Sequence, residues 1–123
     1  MFVIERVPGD DSSANLALYQ GDNVYAGIYC GQDSGVPYNL SGYNARLTIG
    51  FENPVELTTE NGGLIILHPT KGEVLINAPT SMTEGWPAGI CTYEFWLIPG
   101  MSPLVENLYL QGNFTVKPPI SIN

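Results

Sequence analysis

Glycine and proline are spread so evenly along this chain that residues 10–20 form its longest stretch free of both. An average α-helix needs about that length, and an interior Gly or Pro costs it about 1 or 3 kcal/mol. A helical bundle is therefore excluded. No apolar run approaches the roughly 20 residues of a membrane-spanning helix. The opening residues, MFVIERVPGDDSS, lack the basic flank and long apolar segment of a secretion signal, so none is expected.

The apolar pattern has a period of two. Tyr43, Ala45, Leu47, Ile49 and Phe51 alternate with Asn44, Arg46, Thr48 and Gly50, which is the signature of a half-buried strand. Val24, Ala26, Ile28 and Cys30 share one side of a second segment, with Tyr25, Gly27 and Tyr29 opposite. Cys91, Tyr93, Phe95 and Leu97 oppose Thr92, Glu94, Trp96 and Ile98. Leu104, Leu108, Leu110, Phe114 and Val116 alternate with Asn107, Tyr109, Gln111, Asn113 and Thr115. Between them lie a short apolar run, Leu64 to Leu67, and the alternating Val74, Ile76 and Ala78.

Turn residues punctuate these segments at the 8–12-residue spacing of a sandwich or barrel. Gln32 to Pro37 is expected to close a hairpin, Asn61-Gly62-Gly63 to precede the Leu64 strand, and Pro69-Thr70-Lys71-Gly72 to form a tight hairpin. Pro99 to Pro103 separates the last two long strands. One helical turn is predicted at Ser81–Glu84, where Ser and Glu stand three apart as in a capping box, with Gly85 and Pro87 ending it. The expected fold is all-β: an immunoglobulin-like antiparallel β-sandwich of about seven strands with at most one short helical turn. An antibody-type domain is not expected. Gly89 stands two before Cys91, where a tyrosine corner would need Tyr, and Trp86 comes too late for a third-strand tryptophan.

Charge narrows the class of partner. Four basic residues, Arg6, Arg46, Lys71 and Lys117, face twelve acidic ones, for a formal net charge of −8. They form no cluster able to neutralise phosphates, so neither nucleic acid nor an anionic membrane is an expected partner. With 44% hydrophobic and 13% charged residues, the chain is still a folding sequence rather than an acidic tail. Cys30 and Cys91 are too few for a disulfide scaffold and lack zinc-site spacing, so they are expected as reduced thiols. A disulfide between them, both on inward strand faces, is the alternative.

No constellation for catalysis stands out. His68 is the only histidine and precedes Pro69 at a hairpin edge, which reads as an exposed turn residue. Glu52, Glu56 and Glu60 would line one helical face, but Pro54, Val55 and Thr58-Thr59 favour a connector. No calcium-type acidic loop or phosphate-cradling glycine loop is present, and no cofactor or metal is expected.

Four segments, taken in order, carry a resemblance. They are Gly21-Asp22 before the first long strand, Leu40-Ser41-Gly42-Tyr43-Asn44-Ala45-Arg46-Leu47-Thr48-Ile49, Leu57-Thr58-Thr59-Glu60-Asn61-Gly62-Gly63-Leu64, and Gly112-Asn113-Phe114-Thr115-Val116. Together they resemble small tailed-bacteriophage proteins, in particular the N-terminal domain of lactococcal-phage upper baseplate proteins. The resemblance spans about residues 16–117 and rests on order and spacing. It implies a non-catalytic virion protein, assembled in the host cytoplasm, that docks tail, baseplate or fibre parts. Its partners would be other virion proteins and copies of itself. A capsid decoration protein and a receptor- or glycan-binding module are the alternatives.

The domain reading follows: residues 1–15 an N-terminal arm, 16–117 the sandwich, 118–123 an extended tail. Phe2, Val3 and Ile4 put an apolar tip on the arm, and Ile120 and Ile122 do so on the tail. They are candidate contacts with neighbouring subunits, with an added edge strand as the plainer reading of the arm. Tyr25, Tyr29 and Trp96 fall opposite the expected core. They are candidate interface anchors, because Tyr and Trp are enriched in interfaces. Cover by the arm and stacking on sugar rings are the other readings.

Overall fold

The period-two segments assemble into two layers in the computed structural model, which describes residues 3–5, 15–31, 36–100 and 107–118. The strands are β1 (Val3–Glu5), β2 (Leu16–Tyr19), β3 (Val24–Tyr29), β4 (Asn44–Ile49), β5 (Val55–Thr58), β6 (Leu64–His68), β7 (Glu73–Ala78), β8 (Gly89–Ile98) and β9 (Asn107–Lys117). A single α-helical turn, α1 (Thr80–Thr83), precedes β8, and a 3-10 turn, Pro69–Lys71, joins β6 to β7. One sheet has the order β1-β3-β7-β6 and the other β2-β9-β8-β4-β5. This is the immunoglobulin arrangement, with β5 extending the second sheet as in variable-type domains.

The expected strands form, and the additions are short. β1 lies parallel to β3, with Val3 opposite Gly27 and Ile4 opposite Ile28, so residues 3–5 of the expected arm are an edge strand of the first sheet. β2 lies parallel to β9 at the edge of the second sheet, Leu16 opposite Phe114. Glu56 sits on β5 rather than in a connector, because Val55 and Leu57 pair with Ile49 and Leu47. The segment after Cys30 does not close a hairpin between neighbouring strands. β3 pairs with β7, and the chain crosses to the second sheet after an isolated bridge between Gly31 and Pro37.

The core is the inward parity of both sheets: Ile28, Val74, Ile76 and Ala78 from one, Leu47, Ile49, Tyr93, Phe95 and Leu110 from the other. Trp86, on the connection after α1, is buried against Phe51 and Phe114 and closes one end of the sandwich. The capping box does not form. The helix starts one residue early behind Pro79, whose φ of −71° and ψ of 163° place it as N-cap, so Ser81 is already inside the turn. Buried Thr83 instead donates its hydroxyl proton to the Asp22 carbonyl at 2.6 Å and ties α1 to the β2–β3 turn.

One residue of β9 breaks the alternation. Phe95 pairs with Leu110 and Trp96 with Leu108, leaving Tyr109 as the extra residue of a bulge. Tyr109 therefore turns inward and Leu108 is only half-buried, the reverse of the expected parity. The Tyr109 hydroxyl accepts from the Gly31 N–H at 2.8 Å and donates to the Gly31 carbonyl at 3.1 Å. Both backbone groups of a buried crossover residue are thereby satisfied across the two sheets, where leaving either unpaired would cost about 1–3 kcal/mol.

Candidate functional site

The two outer faces of the sandwich differ in chemistry because β6 and β7 break the alternation. Val74-Leu75-Ile76 and Leu64-Ile65-Ile66-Leu67 are continuous apolar runs, so each carries apolar residues outward as well as inward. The register sets outward Leu75 between Gly27 and Ile65, with Tyr25 opposite Asn77 and Tyr29 opposite Glu73. Leu75 is buried by its surroundings on that outer face and takes no part in the inner core cluster. Tyr25 is 46% exposed, Ile65 39% and Leu67 49%. Leu67 falls in a bulge before His68, whose exposed imidazole lies 3.9 Å from the Glu73 carboxylate. Among the described residues β6 pairs only with β7, so its far edge carries unused backbone donors and acceptors.

The outer face of the five-stranded sheet is polar: Thr48 from β4, Thr92 and Glu94 from β8, Gln111 and Asn113 from β9. Trp96 lies here, half-buried, with the Arg46 guanidinium carbon 5.6 Å from its ring centroid. The structure therefore brings Tyr25 and Tyr29 onto one sheet, beside the backbone of Val3 and Ile4 in β1, and puts Trp96 on the opposite side of the molecule. Phe2, Ile120 and Ile122 lie outside the described residues. A cleft of about 280 Å³ opens where β2 meets the start of β3, with Tyr19, Asp22, Tyr25 and Lys117 among its walls. Ile65, Leu67 and Leu75 do not follow from strand alternation; their signal in the sequence is the unbroken apolar runs that hold them.

Chemistry at the thiols is suppressed. Cys30 and Cys91 are unbonded. Burial pushes the Cys30 thiol up to about 12. Cys91, half-buried, is also raised by desolvation, against an opposing hydrogen bond with the Gly50 backbone. The thiolate is the reactive species, so Cys30 of the folded protein should resist iodoacetamide at pH 8 and become alkylated only in denaturant. Peptide mass mapping reads this directly, and modification of native Cys30 would contradict the burial. The same raised pKa makes stability fall with rising pH. The unfolded thiol ionises near its ordinary 9.0 while the folded one holds its proton, so stability falls steadily as pH rises from about 9 towards 12. Among the described residues no three His, Cys, Asp or Glu side chains gather to hold a metal. No helix there is long and apolar enough to cross a membrane.

Neither a family model nor a curated protein sequence matches this chain. Among solved structures the chain is similar to the N-terminal domain of phage TP901-1 ORF48, with a TM-score of 0.61 over 95% of this chain and 99% of that one, at 13% identity. The shared property is the fold.

Proposed function

We propose that this chain is a non-catalytic structural domain of a phage virion that docks tail, baseplate or fibre parts. The observation that carries the reading is the fold likeness to a phage protein's domain, which spans nearly the whole of both chains. The apolar outer face of the four-stranded sheet supports it. Exposed Tyr25, Ile65 and Leu67 offer the aromatic and aliphatic surface of an interface core, and the open β6 edge can accept a strand from a neighbour. Partners on this reading are other virion proteins and further copies of the chain, and the location is the assembled particle.

The test is incorporation. Removing residues 1–12 deletes β1 but leaves β2–β9 and the core, so the truncated chain should keep its circular dichroism spectrum and unfolding transition. It should be lost from purified particles, with incorporation falling to background. Undiminished incorporation of a folded truncation would show that the arm does not dock. Gold labelling of the full chain on intact particles should mark the tail or its tip. Label over the head would replace this reading with that of a capsid decoration protein.

A further inference from the structure

We propose that the outer face of the five-stranded sheet is a binding site for a neutral oligosaccharide. This goes beyond the docking reading, which uses the opposite face. A shallow, open depression of about 410 Å³ crosses β4, β8 and β9. The ladder builds it from two rows. Thr48, Glu94 and Gln111 stand side by side in the first. Gly50, Thr92 and Asn113 make the second, with the Gly50 N–H bonded to the Thr92 carbonyl at 2.8 Å. Gly50 continues the outward parity of Arg46 and Thr48, so the missing side chain leaves a hollow in the face. A Cβ there would come within 3.1 Å of the Thr92 carbonyl oxygen.

The lining selects the ligand class. Gln111 and Asn113 each present a carbonyl acceptor and an amide donor, the Thr48 and Thr92 hydroxyls do both, and the Glu94 carboxylate accepts in pairs. Vicinal sugar hydroxyls, which donate and accept at adjacent positions, match that set. Among the described residues no hydrogen bond engages the side chains of Glu94, Gln111 or Asn113; the one at Asn113 runs from its backbone N–H to Asn15. Trp96 follows Glu94 on the same side of β8, past the end of the depression, with the Arg46 guanidinium over its ring, so only the ring surface that Arg46 leaves uncovered is open to the C–H face of a sugar. A protein partner fits less well, because interface cores are depleted in Glu, and Glu94 stands in the middle of the first row of this strip. Glu94 in the strip and a net charge of −8 disfavour sialylated, sulfated and phosphorylated ligands, with the Arg46 cation at Trp96 opposing that effect.

The intact chain should be applied to an array of neutral and anionic oligosaccharides. The strongest neutral hit should then be titrated while the side-chain amide resonances of Gln111 and Asn113 and the Trp96 indole are followed. Neutral glycans should bind and shift those three signals. A chain carrying Gln111→Ala with Asn113→Ala should bind about tenfold more weakly or worse with an unchanged circular dichroism spectrum. Ile65→Asp, on the other sheet, should bind as the unaltered chain does. An array blank for neutral glycans, binding confined to anionic ones, or equal affinity in the double variant would each overturn the site. None of these outcomes touches particle incorporation, which tests the docking reading separately.

Discussion

Gly72→Ala is expected to remove a large share of this domain's stability. Gly72 sits in the left-handed region at φ 68° and ψ 23°, directly after the Pro69–Lys71 turn. Three segments meet there. The Gly72 carbonyl accepts from the Cys30 N–H at 2.7 Å, the Cys30 carbonyl accepts from the Tyr38 N–H at 3.0 Å, and the Leu40 N–H reaches the Pro69 carbonyl at 2.8 Å. A Cβ on Gly72 would overlap the Cys30 carbonyl oxygen and lie 3.3 Å from that of Tyr38. Backbone oxygens cannot rotate away as a side chain can, so relief means parting β3 from the β6–β7 turn. The left-handed conformation alone costs a non-glycine residue about 1–2 kcal/mol. With the overlap the total should exceed about 4 kcal/mol, against a usual domain stability of about 5–15 kcal/mol. Gly62→Ala separates the two contributions, since Gly62 has a φ of 81° and open space around its Cα. That variant should lose only the conformational part, about 1–2 kcal/mol. Urea unfolding followed by circular dichroism measures both, and equal losses would show that the overlap is relieved at no cost.

What could be read beforehand follows from the physics of each element. β3, β4 and β8 bury one face each, as β9 does beyond its bulge, so their period-two patterns are written in the residues themselves. β1 and β2 are three and four residues long and pair in parallel with strands already in place. The alternation of Leu16 and Leu18 with Ala17 and Tyr19 is too short to stand out by itself, and the position of both strands depends on tertiary register. The inward turn of Tyr109 depends on a bulge opposite Phe95 and Trp96, and a single extra residue reverses parity for a stretch that alternation alone reads the other way. For the candidate surfaces, parity correctly separates Tyr25 and Tyr29 from the core. It cannot reveal that Trp96 belongs to the other sheet, because assignment to a sheet is a property of pairing. The polar strip was equally hidden: Glu94, Gln111 and Asn113 lie on two strands and meet only through the β8–β9 register.

Phe114→Ala should produce the second-largest loss, about 3–5 kcal/mol. The ring is 4% exposed and is the hub of the aromatic plug, with centroids 5.9 Å from Trp86, 6.1 Å from Phe51 and 6.3 Å from Tyr93. Three of these contacts are edge-to-face, a geometry worth about 0.5–1.5 kcal/mol per pair beyond the area buried. Phe114 also stands opposite Leu16 of β2 on one side and Cys91 of β8 on the other. Truncation therefore loosens the plug, the short parallel strand β2 and the cover over Cys91 together. Phe114→Leu, which refills much of the volume without the ring contacts, should lose clearly less than Phe114→Ala. Alkylation of Cys91 in the native state should speed up in the alanine variant, while Cys30, at the end of β3 on the other sheet, stays protected. Because the plug lies inside the sandwich and the Tyr25–Ile65–Leu67 face outside it, particle incorporation by Phe114 variants should follow their stability and return at lower temperature. Ile65→Asp should instead lose incorporation with its unfolding transition intact. If incorporation by Ile65→Asp also recovered on cooling, the apolar face would be acting through folding alone and would not be the docking surface.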